Sequence, residues 1–249
     1  MVFLKNRSEI DKIRESGKIV SGVLARIARE VRPGISTLEL DEIAEALINS
    51  YPETRAAFKG YGGFPNALCT SVNSEVVHGI PRRDKILQEG DLISVDVGVY
   101  YKGYFADAAA TFCVGSPGSR QLKLIESTKR ALAAGIGQAV PRKHIGDIGA
   151  AVQRVVEADN FSVVRDLVGH GIGQNLHEDP QVPNYGLPNR GYPLKEGLVL
   201  AIEPMVNEGT SEIKTLEDNW TVVTADGKLS AHFEHTVAIG PNGPEILTL

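Results

Sequence analysis

A repeat inside the chain is the feature that most restricts its fold. The run Leu87-Gln88-Glu89-Gly90-Asp91-Leu92-Ile93-Ser94-Val95-Asp96 matches Leu194-Lys195-Glu196-Gly197-Leu198-Val199-Leu200-Ala201-Ile202-Glu203 without a gap, 107 residues later. The tripeptide His78-Gly79-Ile80 returns as His170-Gly171-Ile172 at an offset of 92, so the two copies carry loops of unequal length. A unit that occurs twice and packs against its own copy brings equivalent residues to a shared centre. Asp96 and Glu203 are equivalent in this sense, each a carboxylate at the end of an apolar strand run.

Periodicity supplies the elements of each copy. Ser8 with Asp11 has the form of a capping box, and Ile10, Ile13, Val20, Val23, Leu24 and Ile27 follow at helical spacing until Pro33-Gly34. A second helix opens on Ser36 with Glu39, carries Leu40, Ile43, Leu47 and Ile48 inward, and ends near Pro52. Beyond Gly60, Gly62 and Gly63, residues Leu92 to Val99 alternate strictly. Ile93, Val95, Val97 and Val99 fall on one face and Ser94, Asp96 and Gly98 on the other, which predicts a strand with one apolar side. Leu122, Ile125, Leu132, Ile136 and Val140 then predict a third helix ending at Pro141, and Ile145, Ile148, Val152 and Val155 a fourth. The expectation is an α+β fold in one domain spanning 1–249. Its pseudo-symmetric halves, about 8–115 and 119–249, each hold a helix pair packed on an antiparallel sheet.

Composition excludes several classes. A chain of 249 residues, 42% hydrophobic and 23% charged, has the profile of a soluble globular protein. It buries roughly 70–75% of its unfolded surface, so no disulfide or structural metal is needed to fold it, and a bound metal is free to be functional. A net charge of −5 without a basic block argues against nucleic acid and anionic membrane as partners. Cys69 and Cys113 are too few for a secreted disulfide scaffold, and a cytoplasmic address follows. The segment Met1 to Arg7 turns charged before a signal-peptide core forms, and no apolar run nears the ~20 residues of a membrane span.

A two-residue turn at Tyr101-Lys102, with Gly103 permitting the return, makes residues whose numbers sum to 203 cross-strand neighbours and sets Asp96 opposite Asp107, unless a one-residue bulge at Gly103 shifts the register. Like charges facing each other on a half-buried face are destabilising unless one is protonated or a cation lies between them. Carboxylate-rich ligand sets with a single imidazole are typical of hydrolytic two-metal sites. Five such groups are available: Asp96, Asp107, His170, Glu203 and Glu234.

The motifs around these residues resemble those of the type I methionine aminopeptidases, which have the pita-bread (creatinase/aminopeptidase) fold. The resemblance runs through Asn73 to Pro81, the Asp96 and Asp107 pair, Gly169-His170-Gly171-Ile172-Gly173, His177-Glu178, Ile202-Glu203-Pro204-Met205, Trp220-Thr221 and Phe233-Glu234-His235-Thr236. It implies a single catalytic domain with two divalent ions (Co, Mn, Fe or Zn), Asp96 on one ion, His170 and Glu203 on the other or bridging toward it, and Asp107 and Glu234 as bridges. The implied reaction removes an N-terminal methionine from nascent proteins when the second residue is small, by attack of a dimetal-bridging hydroxide on the first peptide bond. Glu203 would shuttle the proton, His78 would contact the substrate amide, and His177 would stabilise the oxyanion. Phe58, Tyr61, Phe64, Cys69 and Trp220 would line the methionine pocket.

Three departures are visible. Phe58 stands where many relatives have a small residue, Phe64 where they have tyrosine, and Ala108-Ala109-Ala110 replaces polar residues. His144, His232 and His235 receive no role beyond surface, structural or supporting ones. The resemblance further implies nascent N-termini as partners, a transient ribosome contact and a monomer. Competing readings are a prolidase or aminopeptidase P, which usually has an additional N-terminal domain, and a binding module, which typically loses ligands. The type II enzymes have a long insertion between the last two glutamates, whereas only 30 residues separate Glu203 from Glu234 here.

Overall fold

The computed structural model describes residues 1–249. Helix α1 (Arg7–Glu30) is capped by Asn6, not by Ser8: the Asn6 side chain accepts from the Glu9 N–H and the Glu9 carboxylate accepts from the Asn6 N–H. Two start signals overlap here, and the Asn6 and Glu9 box is the one that forms. Helix α2 (Thr37–Asn49) opens on the predicted Ser36 and Glu39 box. Helix α3 (Ser119–Ile136) ends short of Pro141, and Leu122 is half exposed instead of inward. Its buried face includes Ser127, Thr128, Ala131 and Gly135. These small residues let it lie close to α4 (Ile145–Ala158), where a Cβ on Gly135 would stand 2.8 Å from Val152.

The strand Leu92–Tyr101 pairs over its whole length with Tyr104–Cys113, and on its other edge with Thr54–Ala56 and Leu68–Val72. Its register corrects the sequence reading. Lys102 (φ 47°) and Gly103 (φ 93°) form the two-residue turn, so Tyr101 faces Tyr104, Asp96 faces Ala109 and Asp107 faces Gly98. Positive φ at both central residues suits the twist of the hairpin, and Lys102-Gly103 supplies it. The slip is two residues, so Asp96 and Asp107 keep the same face but stand diagonally across it. The strand is also not half-exposed: Leu92 through Val95 and Val97 through Val99 are all buried. The polar residues on its second face are paired inside, as Ser94 with Thr111 through hydroxyls 2.8 Å apart.

Helices α1 and α2 pack against this sheet in one core with Ile93, Val95, Val97 and Val99. Helices α3 and α4 share a second core with Leu198, Leu200, Ile202, Val237 and Ile239. The second core belongs to an antiparallel five-stranded sheet, in the order Gly243–Ile246, His235–Gly240, Val199–Ile202, Gly169–Gly171 and Glu178–Val182. Two smaller three-stranded sheets complete the fold, one joining Ser230–His232, Met205–Asn207 and Ser162–Val163, the other Ile213–Thr215, Val222–Thr224 and Glu75–Val77. No helix is long and apolar enough to cross a membrane.

The two large sheets meet along Tyr104–Cys113. Thr236 Oγ1 accepts from the Asp107 N–H at 3.1 Å and donates to the Asp107 carbonyl at 2.8 Å, while the Glu234 N–H donates to the Ala109 carbonyl at 2.9 Å. A buried ion pair anchors the segment before α1 to the loop carrying His177: Lys5 Nζ donates to Glu178 Oε2 at 2.5 Å, with both side chains 4% exposed. Glu178 Oε1 accepts from the Asn175 N–H at 3.0 Å and so closes that loop. Replacing Lys5 by Met strands the Glu178 charge in the interior, and the expected loss is about 3–5 kcal/mol in a urea unfolding curve. A loss under about 1 kcal/mol would mean that water reaches the pair and screens it.

Candidate metal centre

The five groups singled out in the sequence converge on one cavity of about 210 Å³. Asp96 and Asp107 come from paired strands, His170 from Gly169–Gly171, Glu203 from the residue after Val199–Ile202, and Glu234 from the residue before His235–Gly240. Asp96 thus lies inside its strand, whereas Glu203 follows the end of its own. The glycines around His170 have a packing cause. A Cβ on Gly169 would lie 2.3 Å from the Ala201 carbonyl oxygen, and one on Gly171 would lie 2.3 Å from that of Asp179.

Ligand atoms of Asp107, His170 and Glu234 all lie within 4.8 Å of one another. His170 Nε2 is 3.5 Å from Asp107 Oδ2 and 3.5 Å from Glu203 Oε1. Its other nitrogen, Nδ1, is 2.9 Å from the Gly171 carbonyl oxygen, which can only accept. That bond places a proton on Nδ1 and leaves Nε2 turned toward the carboxylates as the nitrogen open to a metal. Nε2 and the two carboxylate oxygens therefore point at one meeting place, which a proton or a divalent cation can occupy. Asp96 Oδ1 is buried with no hydrogen-bond partner. The ion-pair contacts of these carboxylates are with His170 and His232, and neither Lys nor Arg pairs with any of them. The donor set of oxygens and one imidazole therefore fits divalent ions.

Burial dominates the proton affinities. It raises Asp96 and Glu234 well above the carboxylate range, reinforced in both by neighbouring carboxylates, and it raises Asp107. Glu203 is pushed up to about 8 from an ordinary 4.5, again by burial first. Burial pushes His78 and His232 down to about 4 from 6.5. Between pH 4.5 and 8 the unfolded chain gives up the Glu203 proton that the folded one keeps, so this group costs stability progressively as pH rises. The histidines act in the opposite sense and only below 6.5, where the unfolded chain takes up protons that the folded one refuses. Chelator-treated protein should therefore lose thermal stability from pH 6.5 to 8.5, at up to about 1.4 kcal/mol per pH unit for each proton released. A divalent ion should suppress the fall, because its charge replaces the protons. A flat midpoint across that range in chelator would contradict the carboxylate cluster.

The same cavity is lined by His78, His177, Phe58, Tyr61, Phe64, Cys69 and Trp220, so all the residues of the sequence-based site meet there. Cys69 stands opposite Asp96 in the strand register. Phe64 meets Trp220 edge to face at 5.1 Å between ring centroids, and His78 meets it at 6.4 Å. His78 itself has φ 58°, an uncommon conformation for a side-chain-bearing residue. His177 Nδ1 is 2.8 Å from the Tyr61 hydroxyl, and its ring lies 4.3 Å from that of His170. The cavity adjoins a wider groove of about 570 Å³ that shares His78, His170, His177 and Glu203 and continues past Phe3, Leu167, Gln181 and Met205.

Two residues of the site have no counterpart in the sequence-based set. Leu176 adds an apolar wall, and His232 places Nε2 3.6 Å from Glu203 Oε2. A signal for the second existed: His232 precedes Glu234 by two residues, the spacing that puts both on one face of an extended chain.

The metallopeptidase family M24 model matches residues 11–241 of the chain. The fold is that of this class of metal-dependent peptidases. The methionine aminopeptidase of Clostridium perfringens is 54% identical over 249 residues, covering 100% of this chain and 99% of its own. Methionine aminopeptidase 1 of Bacillus subtilis is 50% identical, with 100% and 99% covered. The crystal structure of methionine aminopeptidase from Thermotoga maritima superposes with a TM-score of 0.97 at 45% identity, over 100% of this chain and 99% of that one. The chain belongs to metallopeptidase family M24 and, within it, to the methionine aminopeptidases of the pita-bread fold. Its activity is that of a metallo-exopeptidase acting on the N-termini of nascent polypeptides.

Proposed function

We propose that Asp96, Asp107, His170, Glu203 and Glu234 hold two divalent ions, and that the chain uses them to release N-terminal methionine when the next residue is small. The observation that carries this is the convergence of four carboxylates and Nε2 of His170 on one cavity without a Lys or Arg partner. Bound there, the ions would polarise the scissile carbonyl and acidify water at neutral pH. Glu203 takes a proton at its carboxylate and returns it to the departing amine. Its place beside His170, with its backbone carbonyl accepting from Asn184 at 3.1 Å, supports that role. His78 contacts the substrate amide and His177 stabilises the oxyanion as a hydrogen-bond donor.

Phe58, Tyr61, Phe64, Cys69 and Trp220 form the side-chain pocket, and aromatic walls suit a thioether through sulfur contacts. Phe58 and Phe64 narrow that pocket relative to smaller or polar alternatives. Replacing Trp220 by Ala is expected to lower the preference for methionine over shorter side chains, measured as the ratio of kcat/KM on Met-Ala-Ser and norvaline-Ala-Ser. An unchanged ratio would remove Trp220 from the pocket wall.

Residues 1–249 act as a single catalytic domain whose halves, about 8–115 and 119–249, descend from one repeated unit. The two helix pairs, each in its own core, support that reading. Kinship with bacterial methionine aminopeptidases alone supports the reading of a cytoplasmic monomer that meets its substrates at the ribosome. The test of function is release of free methionine from Met-Ala-Ser and Met-Leu-Ser peptides by chelator-stripped protein before and after a divalent metal is added. Metal-dependent cleavage of the first and little of the second is expected. No release with any of Co, Mn, Fe or Zn, despite metal uptake, would favour a binding module.

A further inference from the structure

The Glu203 carboxylate lies between two imidazoles, His170 at Oε1 and His232 at Oε2, with Nε2 atoms 3.5 and 3.6 Å away. The first belongs to the centre described above, and the second has no assigned role. His232 ends the Ser230–His232 strand opposite Met205. Its N–H donates to Thr111 Oγ1 at 2.9 Å and its carbonyl accepts from the same hydroxyl at 2.9 Å, so its backbone is held from both sides. The residue is 1% exposed and its Nε2 has no hydrogen-bond partner. A buried polar group without a partner is destabilising, and the group this one faces is the Glu203 carboxylate.

We propose that His232 is a positioning residue of the metal centre: its Nε2–H donates to Glu203 Oε2 and leaves Oε1, on the His170 side, as the oxygen presented to metal. The inference rests on the reading of Glu203 as a ligand and proton carrier. A shift of roughly 0.6 Å brings the pair to ordinary hydrogen-bond length. The Asn184 amide already holds the Glu203 carbonyl, so the carboxylate can adjust by its own torsions while the backbone stays in place. Because neither Lys nor Arg pairs with the cluster and His170 stands at Oε1, His232 is the group placed to orient Glu203 through Oε2. Partners of this kind around metal ligands commonly account for 10- to 100-fold in metal affinity.

The test compares wild type with His232→Leu, His232→Gln and Glu203→Ala, each chelator-stripped and titrated with Mn²⁺ in a calorimeter, alongside methionine release. Leu should weaken Mn²⁺ binding by about 10- to 100-fold, whereas Gln, whose amide nitrogen can take the place of Nε2, should stay within about threefold of wild type. Unchanged binding in the Leu variant would overturn the proposal. Equal weakening in Leu and Gln would also overturn it, since shape or direct ligation would then explain the residue better than donation. If Glu203→Ala binds as tightly as wild type, or wild type takes up no Mn²⁺, the reading of Glu203 fails and the proposal with it. Should the Leu variant not fold, His232→Asn, a donor too short to reach Glu203, takes its place with the same expected loss.

Discussion

Replacing Asp107 by Ala is expected to abolish methionine release, by at least about 10³-fold in kcat/KM, while thermal unfolding stays cooperative. Asp107 has His170 and Glu234 as neighbours at once, so on the proposed reading its loss removes a shared ligand. A Lewis-acid contribution of several kcal/mol corresponds to three or more decades in rate. The companion variant Asp107→Asn separates chemistry from folding. It keeps the shape of a residue 3% exposed and bonded to Thr236, but removes a charge that burial disfavours. Its activity should fall as far, while the midpoint of the chelated protein holds or rises. Retained activity in either variant would take Asp107 out of the centre, and a broad, non-cooperative transition would assign the loss to folding.

His177→Ala is expected to lower kcat by about 10²–10³, equivalent to about 2.7–4 kcal/mol, with little change in KM. In the tautomer that receives the Tyr61 hydroxyl proton at Nδ1, the N–H of His177 sits on Nε2, as an oxyanion donor requires. The lever is preorganisation: Tyr61 holds one side of the ring, while the Lys5 and Glu178 pair holds the loop beneath it. Removing the ring therefore removes an interaction that strengthens as charge develops, which lowers kcat. An effect confined to KM would make His177 a substrate-contact residue only.

Much of this molecule was legible in its sequence, for physical reasons that differ from place to place. The Ser36 and Glu39 box and the strict alternation of Leu92 to Val99 are local signals, and both elements form there. The start of α1 was misplaced because Asn6 with Glu9 and Ser8 with Asp11 compete within one turn, and sequence alone does not rank them. The hairpin register turned on which residues accept positive φ, and Lys102 accepts it although it is not a glycine. The slip by two left Asp96 and Asp107 on one face, so the conclusion about the pair outlived the error in its geometry. On α3 the spacing names Ile125, Leu132 and Ile136 as inward and they are buried, whereas Leu122 on the first turn is half exposed. The site residues were found through motifs. The sequence does not distinguish among the surface, structural and supporting roles open to His232, because its partner, Glu203, is distant in sequence and only the fold brings them together.

The central claim is that five side chains hold two ions, and anomalous scattering from crystals grown with Mn²⁺, measured on both sides of the manganese absorption edge, tests it most directly. Two anomalous peaks are expected in the cavity, both within bonding reach of the cluster, with Asp96, Asp107, His170, Glu203 and Glu234 all engaged. A single peak, or peaks that leave any of the five without a metal neighbour, would contradict it.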